Sequence, residues 1–238
     1  MKKALALFAG AALLCLAVPQ AQAQTFTFND NWTNWPGYDF GDTSDVHGSN
    51  PDVTQMIINT DDATGNLTTV NVVFAATTDR LTYDSLFINS YNLTANGTNW
   101  DDWDYLVHDG GKHGAGQTLD GEGNANQANV PNDGLYSVHD DYRYTTAAAY
   151  RTGNPNGIDA RDLSLLDNMF TPSWDNVTHI LTYDFTSQNI DVSDGFFFAY
   201  APWCANDVMG TPEPATMLLF GTGLIGLIGI GRKRSKRS

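Results

Sequence analysis

Of the chain's 27 acidic residues, all but Glu213 lie between Gln24 and Gly210, and all of those but Glu122 are aspartate. This bias restricts the fold. Aspartate competes with the helix for nearby backbone N–H groups and favours turns. The same stretch is rich in Asn, Thr, Gly and Tyr and poor in Leu, Lys and Glu. Such a composition makes poor helices and suits strands joined by loops. Only Arg80, Lys112, Arg143, Arg151 and Arg161 oppose the acids there, so the stretch carries a net charge of −21 in a chain whose total is −15. Phosphate backbones repel a body of that charge, which excludes nucleic acid as a partner. With 42% hydrophobic and 12% aromatic residues, the chain is still apolar enough to form a core.

The strand candidates are Thr68–Ala75, Ser85–Ser90, Asp104–His108, Leu135–Tyr144, His179–Thr186 and Gly195–Trp203. Turn signals separate them at Asp61-Asp62, Asn96-Gly97, Asp133-Gly134, Asn156-Gly157 and Asp194-Gly195. Short strands with frequent turns predict an all-β fold, a β-sandwich of jelly-roll-like topology, spanning 24–210. One short helix is predicted over Ala160–Phe170, with Asp162 as its cap and Leu163, Leu166, Met169 and Phe170 on one face. Lys112–Asn132 has few bulky apolar residues and reads as a surface loop, and Ala205–Glu213 as a stalk.

The two ends differ from the body. Residues 1–23 read as a signal peptide: Lys2 and Lys3, an apolar run from Ala4 to Val18, Pro19, then Ala21 and Ala23 before Gln24. The run is shorter than the ~20 residues of a membrane span, and Leu14 before Cys15 does not fit a lipid-attachment site. Residues 211–238 hold Pro212-Glu213-Pro214, an apolar run over 215–230 that is predicted to form a single transmembrane helix, and the cluster Arg232, Lys233, Arg234, Lys236 and Arg237. Cations immediately after the run hold it with the tail in the cytoplasm and the acidic body outside.

Pro212-Glu213-Pro214-Ala215-Thr216-Met217-Leu218-Leu219, the glycine-punctuated run and Arg232-Lys233-Arg234 together resemble the PEP-CTERM sorting signal of Gram-negative bacteria. The resemblance implies that exosortase, an integral membrane enzyme, reads the tripeptide, removes the tail and passes the body towards the cell surface. It implies an inner-membrane intermediate facing the periplasm and says nothing of the body's activity. The stretch from Thr182 to Cys204-Ala205-Asn206-Asp207-Val208 also resembles the way many exosortase-sorted proteins close a β-sandwich.

Three constellations in the body are candidates for chemistry. Asp101, Asp102 and Asp104, with Asp120, Glu122 and Asn124, supply oxygen ligands of the kind Ca²⁺ takes. Asp120–Asn124 has the first alternating positions of an EF-hand but lacks its turn glycine and terminal glutamate, and Asn154–Leu163 resembles half of a dockerin calcium loop. The other reading of these aspartates is ordinary turn chemistry in an acidic surface. Trp32 and Trp35 near the start, and Trp100 and Trp103 beside the acidic triplet, are candidates for stacking on sugars or for adhesion; packing at a sandwich edge is the alternative. Cys204, alone after signal cleavage, reads as a small buried side chain. No G-x-S-x-G elbow or phosphate loop is present, and acids this abundant make any carboxylate pair uninformative.

The expectation is therefore a non-enzymatic exported protein of the surface or extracellular matrix, touching polysaccharide or other matrix components. A Ca²⁺-dependent carbohydrate-binding module and a secreted hydrolase are the alternatives.

Overall fold

The computed structural model describes residues 23–30, 35, 52–76, 84–90, 100, 102–109, 118–119, 131–147, 155–202 and 208–211. Within them run fourteen strands: β1 (Ala23–Asn29), β2 (Val53–Asp61), β3 (Leu67–Phe74), β4 (Asp84–Asn89), β5 (Tyr105–Asp109), β6 (Thr118–Leu119), β7 (Gly134–Val138), β8 (Tyr144–Ala147), β9 (Pro155–Ile158), β10 (Leu163–Asp167), β11 (Ser173–Asp175), β12 (Ile180–Asp184), β13 (Phe197–Pro202) and β14 (Met209–Gly210). A five-stranded sheet has the order β1-β2-β3-β12-β11, a six-stranded sheet β10-β7-β5-β4-β13-β14, and a small sheet β6-β8-β9. Every pairing is antiparallel. β3 and β12 are neighbours in the first sheet, and the strands that follow them on the opposite sheet, β4 and β13, are neighbours in the second.

The β-sandwich forms because β2, β3 and β12 alternate. Met56, Ile58, Val70, Val72, Leu181 and Tyr183 point inward with no or almost no exposure, while the residues between them face out. They meet Leu86, Ile88, Val107, Phe198 and Tyr200 of the six-stranded sheet in one core. The strands β4 and β13 in the middle of that sheet are buried on both faces. Phe87, Leu106, Phe197, Ala199 and Ala201 point the other way, into a second core with Trp35, Trp100, Trp103 and Ile158. This accounts for the unbroken apolar runs of β4 and β13, since a strand covered on both faces has no side left for polar residues.

The expected short helix over Ala160–Phe170 does not form. Ala160–Asp162 make one turn of 3-10 helix, and Leu163–Asp167 pair with β7 as an edge strand. The cap is Asp159, which accepts from the Arg161 N–H, and not Asp162. A helix would have needed an apolar surface to cover its Leu face; Leu166 and Met169 instead stay 53% and 79% exposed while the backbone bonds to β7. Local periodicity yields here to tertiary strand pairing.

The aspartate bias has a direct structural use. Asp61, Asp159, Asp167, Asp175, Asp184 and Asp191 each accept a hydrogen bond from the backbone N–H two residues ahead. The short side chain reaches that N–H and closes the turn, which a glutamate's extra methylene does less well. In the β2–β3 hairpin Asp61 caps Ala63 and Thr64, and Gly65 takes φ of +74° with Ser193 so close that a β-carbon there would lie 2.5 Å from it.

These turns set a pH dependence. Backbone N–H donors at Thr64 and Ala63, at Val177, and at Ser193 hold Asp61, Asp175 and Asp191 below the usual carboxylate range, and the Thr186 hydroxyl and N–H do so for Asp184. Each group therefore binds its proton less readily folded than unfolded. Their contribution is complete above the unfolded value of 3.8 and is lost as pH falls through the lower folded values. Thermal melts of the 24–211 body should hold a plateau near neutrality and drop below pH 4; a midpoint that rises on acidification would contradict this use of the aspartates.

Candidate functional site at the end of the sandwich

The last described residues join the fold to the sorting segment. Val208 and Met209 are fully buried, one in each core: Val208 among the tryptophans, Met209 between the sheets. Tyr200 pairs with Met209 and Ala199 with Gly210 across β13 and β14. Thr211 continues the contact beyond the strand. Its N–H donates to the Phe198 carbonyl at 2.9 Å, and its Oγ1 accepts from the Phe198 N–H at 3.0 Å. Gly210 is required by close approach, because a β-carbon there would lie 2.3 Å from Trp100 Cζ2 and 2.5 Å from Cη2.

A free stalk over Ala205–Glu213 is thus not what forms at its described part. Residues 208–211 are buried, Met209 and Gly210 pair with β13, and Thr211 bonds to Phe198. The apolar character of Val208 and Met209 was the signal for this, weakened by the brevity of the segment. Pro212, Glu213 and Pro214, the run 215–230, Cys204 and residues 1–22 lie outside the described residues. Among the described residues no helix is long and apolar enough to cross a membrane.

Of the four tryptophans that were candidates for stacking on ligands, Trp32 lies outside the described residues, and the other three take the packing alternative. Trp35, Trp100 and Trp103 are 1%, 3% and 4% exposed and offer no free ring face to a sugar. Trp35 sits edge-on to Phe87, Trp100, Trp103 and Tyr144 at centroid distances of 4.9–6.0 Å. Trp103 stacks on Phe197 at 5.4 Å, and its Nε1–H donates to the Tyr144 hydroxyl at 2.7 Å. Tyr144 in turn donates to the Trp100 carbonyl. These large rings cover the outer face of the six-stranded sheet; Trp103 satisfies its indole N–H there, whereas the buried Trp35 Nε1–H has no hydrogen-bond partner among the described residues.

Asp102 and Asp104 are described; Asp101, Asp120, Glu122 and Asn124 are not. Asp104 Oδ2 accepts from the Ser90 N–H at 2.6 Å and from its hydroxyl at 2.8 Å, which caps the end of β4. Asp102 takes a left-handed φ of 69°, with its N–H donated to Tyr142. Among the described residues no group of three or more His, Cys, Asp or Glu could hold a metal ion.

The segment that resembles a calcium half-loop neutralises its carboxylates with arginine. Arg161 binds Asp159 through Nε at 2.9 Å and Nη2 at 2.5 Å, and Arg143 binds Asp162 at 3.0 and 3.2 Å. Both arginines of the described residues are used in this way. Burial pushes the Asp159 carboxyl up, but the Arg161 guanidinium and N–H, with Arg143 nearby, outweigh it and hold it below its ordinary value.

Two polar groups within the sandwich take structural partners. Asp84, fully buried, accepts from the hydroxyls of Tyr183 at 3.1 Å and Tyr200 at 3.2 Å. Ser85 Oγ lies 3.2 Å from His108 Nδ1, with both residues wholly buried. Neither is open to a substrate.

No curated protein and no solved structure matches the chain. A family model described as the PEP-CTERM protein-sorting motif matches residues 211–234, beginning at the residue that docks on Phe198. That model spans the tripeptide, the apolar run and the first three cations, so the chain carries a PEP-CTERM protein-sorting motif at 211–234, directly after the body described above.

Proposed function

We propose that this protein is a non-enzymatic component of the cell surface or extracellular matrix, with a structural or adhesive role. The sorting motif at 211–234 carries the reading, since it implies exosortase-dependent sorting to the surface. The expected route is export by the segment 1–23, a membrane-held intermediate with the body outside, and release of the body. A structural role is supported by what the polar groups of the body do. Buried carboxylates and the Ser85–His108 pair are spent on packing, and the aspartates close turns. A net charge of −21 keeps such a body soluble and repels other acidic polymers, so its contacts are with neutral or cationic matrix components.

The test is a deletion strain complemented with the full chain or with a chain lacking residues 212–238. Surface material of the deletion strain should lose cohesion, restored by the full chain only. Unchanged cohesion, or a hydrolase activity of the purified 24–211 body, would count against the reading.

A further inference from the structure

We infer that detachment of β14 from the sandwich is a step in processing of the sorting motif. The inference rests on the exosortase reading above. With Thr211 held on Phe198, only four residue steps separate the fold from Ala215, where the apolar run begins. Fully extended, four steps reach at most about 14 Å. A single helix with its side chains is about 10–12 Å across. A membrane enzyme that encloses Pro212-Glu213-Pro214 must place at least one such wall between the acidic body and the bilayer. The docked geometry leaves almost no room for it.

The room is available further back. β13 ends at Pro202, and from Pro202 to Ala215 thirteen extended steps reach at most about 45 Å. Releasing Val208–Thr211 therefore frees the motif, and what opposes release is on the page: Val208 and Met209 each buried in a core, the two β13 pairings, and the paired bonds of Thr211 to Phe198. Gly210 completes the restraint by letting the strand lie against the Trp100 ring. The tripeptide is accessible only in the fraction of molecules with β14 detached, and the apparent rate of processing falls by that fraction.

A six-residue Gly-Ser spacer inserted between Thr211 and Pro212 tests this in the full chain. It adds about 20 Å of reach and leaves β14 docked. Pulse–chase labelling should show precursor disappearing at least tenfold faster, since burial of even one of the two apolar side chains holds the strand down on that scale. Gly210→Ala, which forces the strand off Trp100, should also speed processing while the body still melts cooperatively. A spacer variant processed at the unaltered rate, or more slowly, overturns the inference. A parallel arm in cells lacking exosortase separates the two claims. Precursor processed there refutes the sorting reading itself, whatever the spacer does.

Discussion

Changing Pro212-Glu213-Pro214 to three alanines is expected to leave the protein as a cell-retained precursor, with the processed form reduced at least tenfold. Glu213 is the only charged residue between Gly210 and Arg232. An enzyme that reads it by pairing its carboxylate is left with an unpaired buried charge by the alanine variant. That loss costs about 2–5 kcal/mol, and each ~1.4 kcal/mol is tenfold in rate. Glu213→Gln, which keeps the shape and loses the charge, separates charge recognition from backbone recognition. Cell fractionation with an antibody to the body reads both. Normal amounts of processed protein from the triple variant would remove the motif from the mechanism.

The second large effect is on stability. Trp103→Ala should lower the stability of the body by about 3–5 kcal/mol, the usual cost of truncating a buried tryptophan. In a chain of this size that is a fall in melting temperature of roughly 6–20 °C. The ring packs against Trp35, Phe87 and Phe197, and its Nε1–H is the donor to Tyr144. Removing it opens a cavity and takes one donor from the part-buried Tyr144 hydroxyl, which keeps the Trp100 carbonyl and Tyr142. Trp103→Phe should recover part of the packing and none of the hydrogen bond. A Trp103→Ala protein with unchanged melting would mean that the ring lies at a surface, as a ligand-stacking role requires.

The tryptophans show what could be read in advance and what could not. Trp35, Trp100 and Trp103 are separated in sequence, and only the pairing of β4 with β5 and β13 gathers them on one face of one sheet. Stacking residues and core residues have the same composition, so the choice between them waits on topology. β3, β12 and β13 were legible because alternation or an unbroken apolar run spells out which faces are covered. β2 alternates as well, with Met56 and Ile58 facing the core, and is absent from the expected strands.

Asn156-Gly157 misled in the opposite direction. It has the residues of a turn, yet it lies within β9, where buried Asn156 accepts from the Thr145 hydroxyl at 3.0 Å and a β-carbon on Gly157 would press on the same oxygen. Turn chemistry at that position is used for close strand contact instead. The expected Leu135–Tyr144 strand breaks at Asp140-Asp141 into β7 and β8, which enter different sheets.

The sorting motif was legible because it is local: three parts in fixed order need no tertiary structure to be recognised. Its docking was not, since it depends on Gly210 meeting a tryptophan 110 positions earlier in the chain.

The intact mass of the protein recovered from the cell surface tests the central claim most directly. The expected species begins at Gln24 and lacks the apolar run 215–230 and the cations after it, retaining the body through Thr211. A surface form whose mass still includes residues 215–238 would contradict delivery by exosortase.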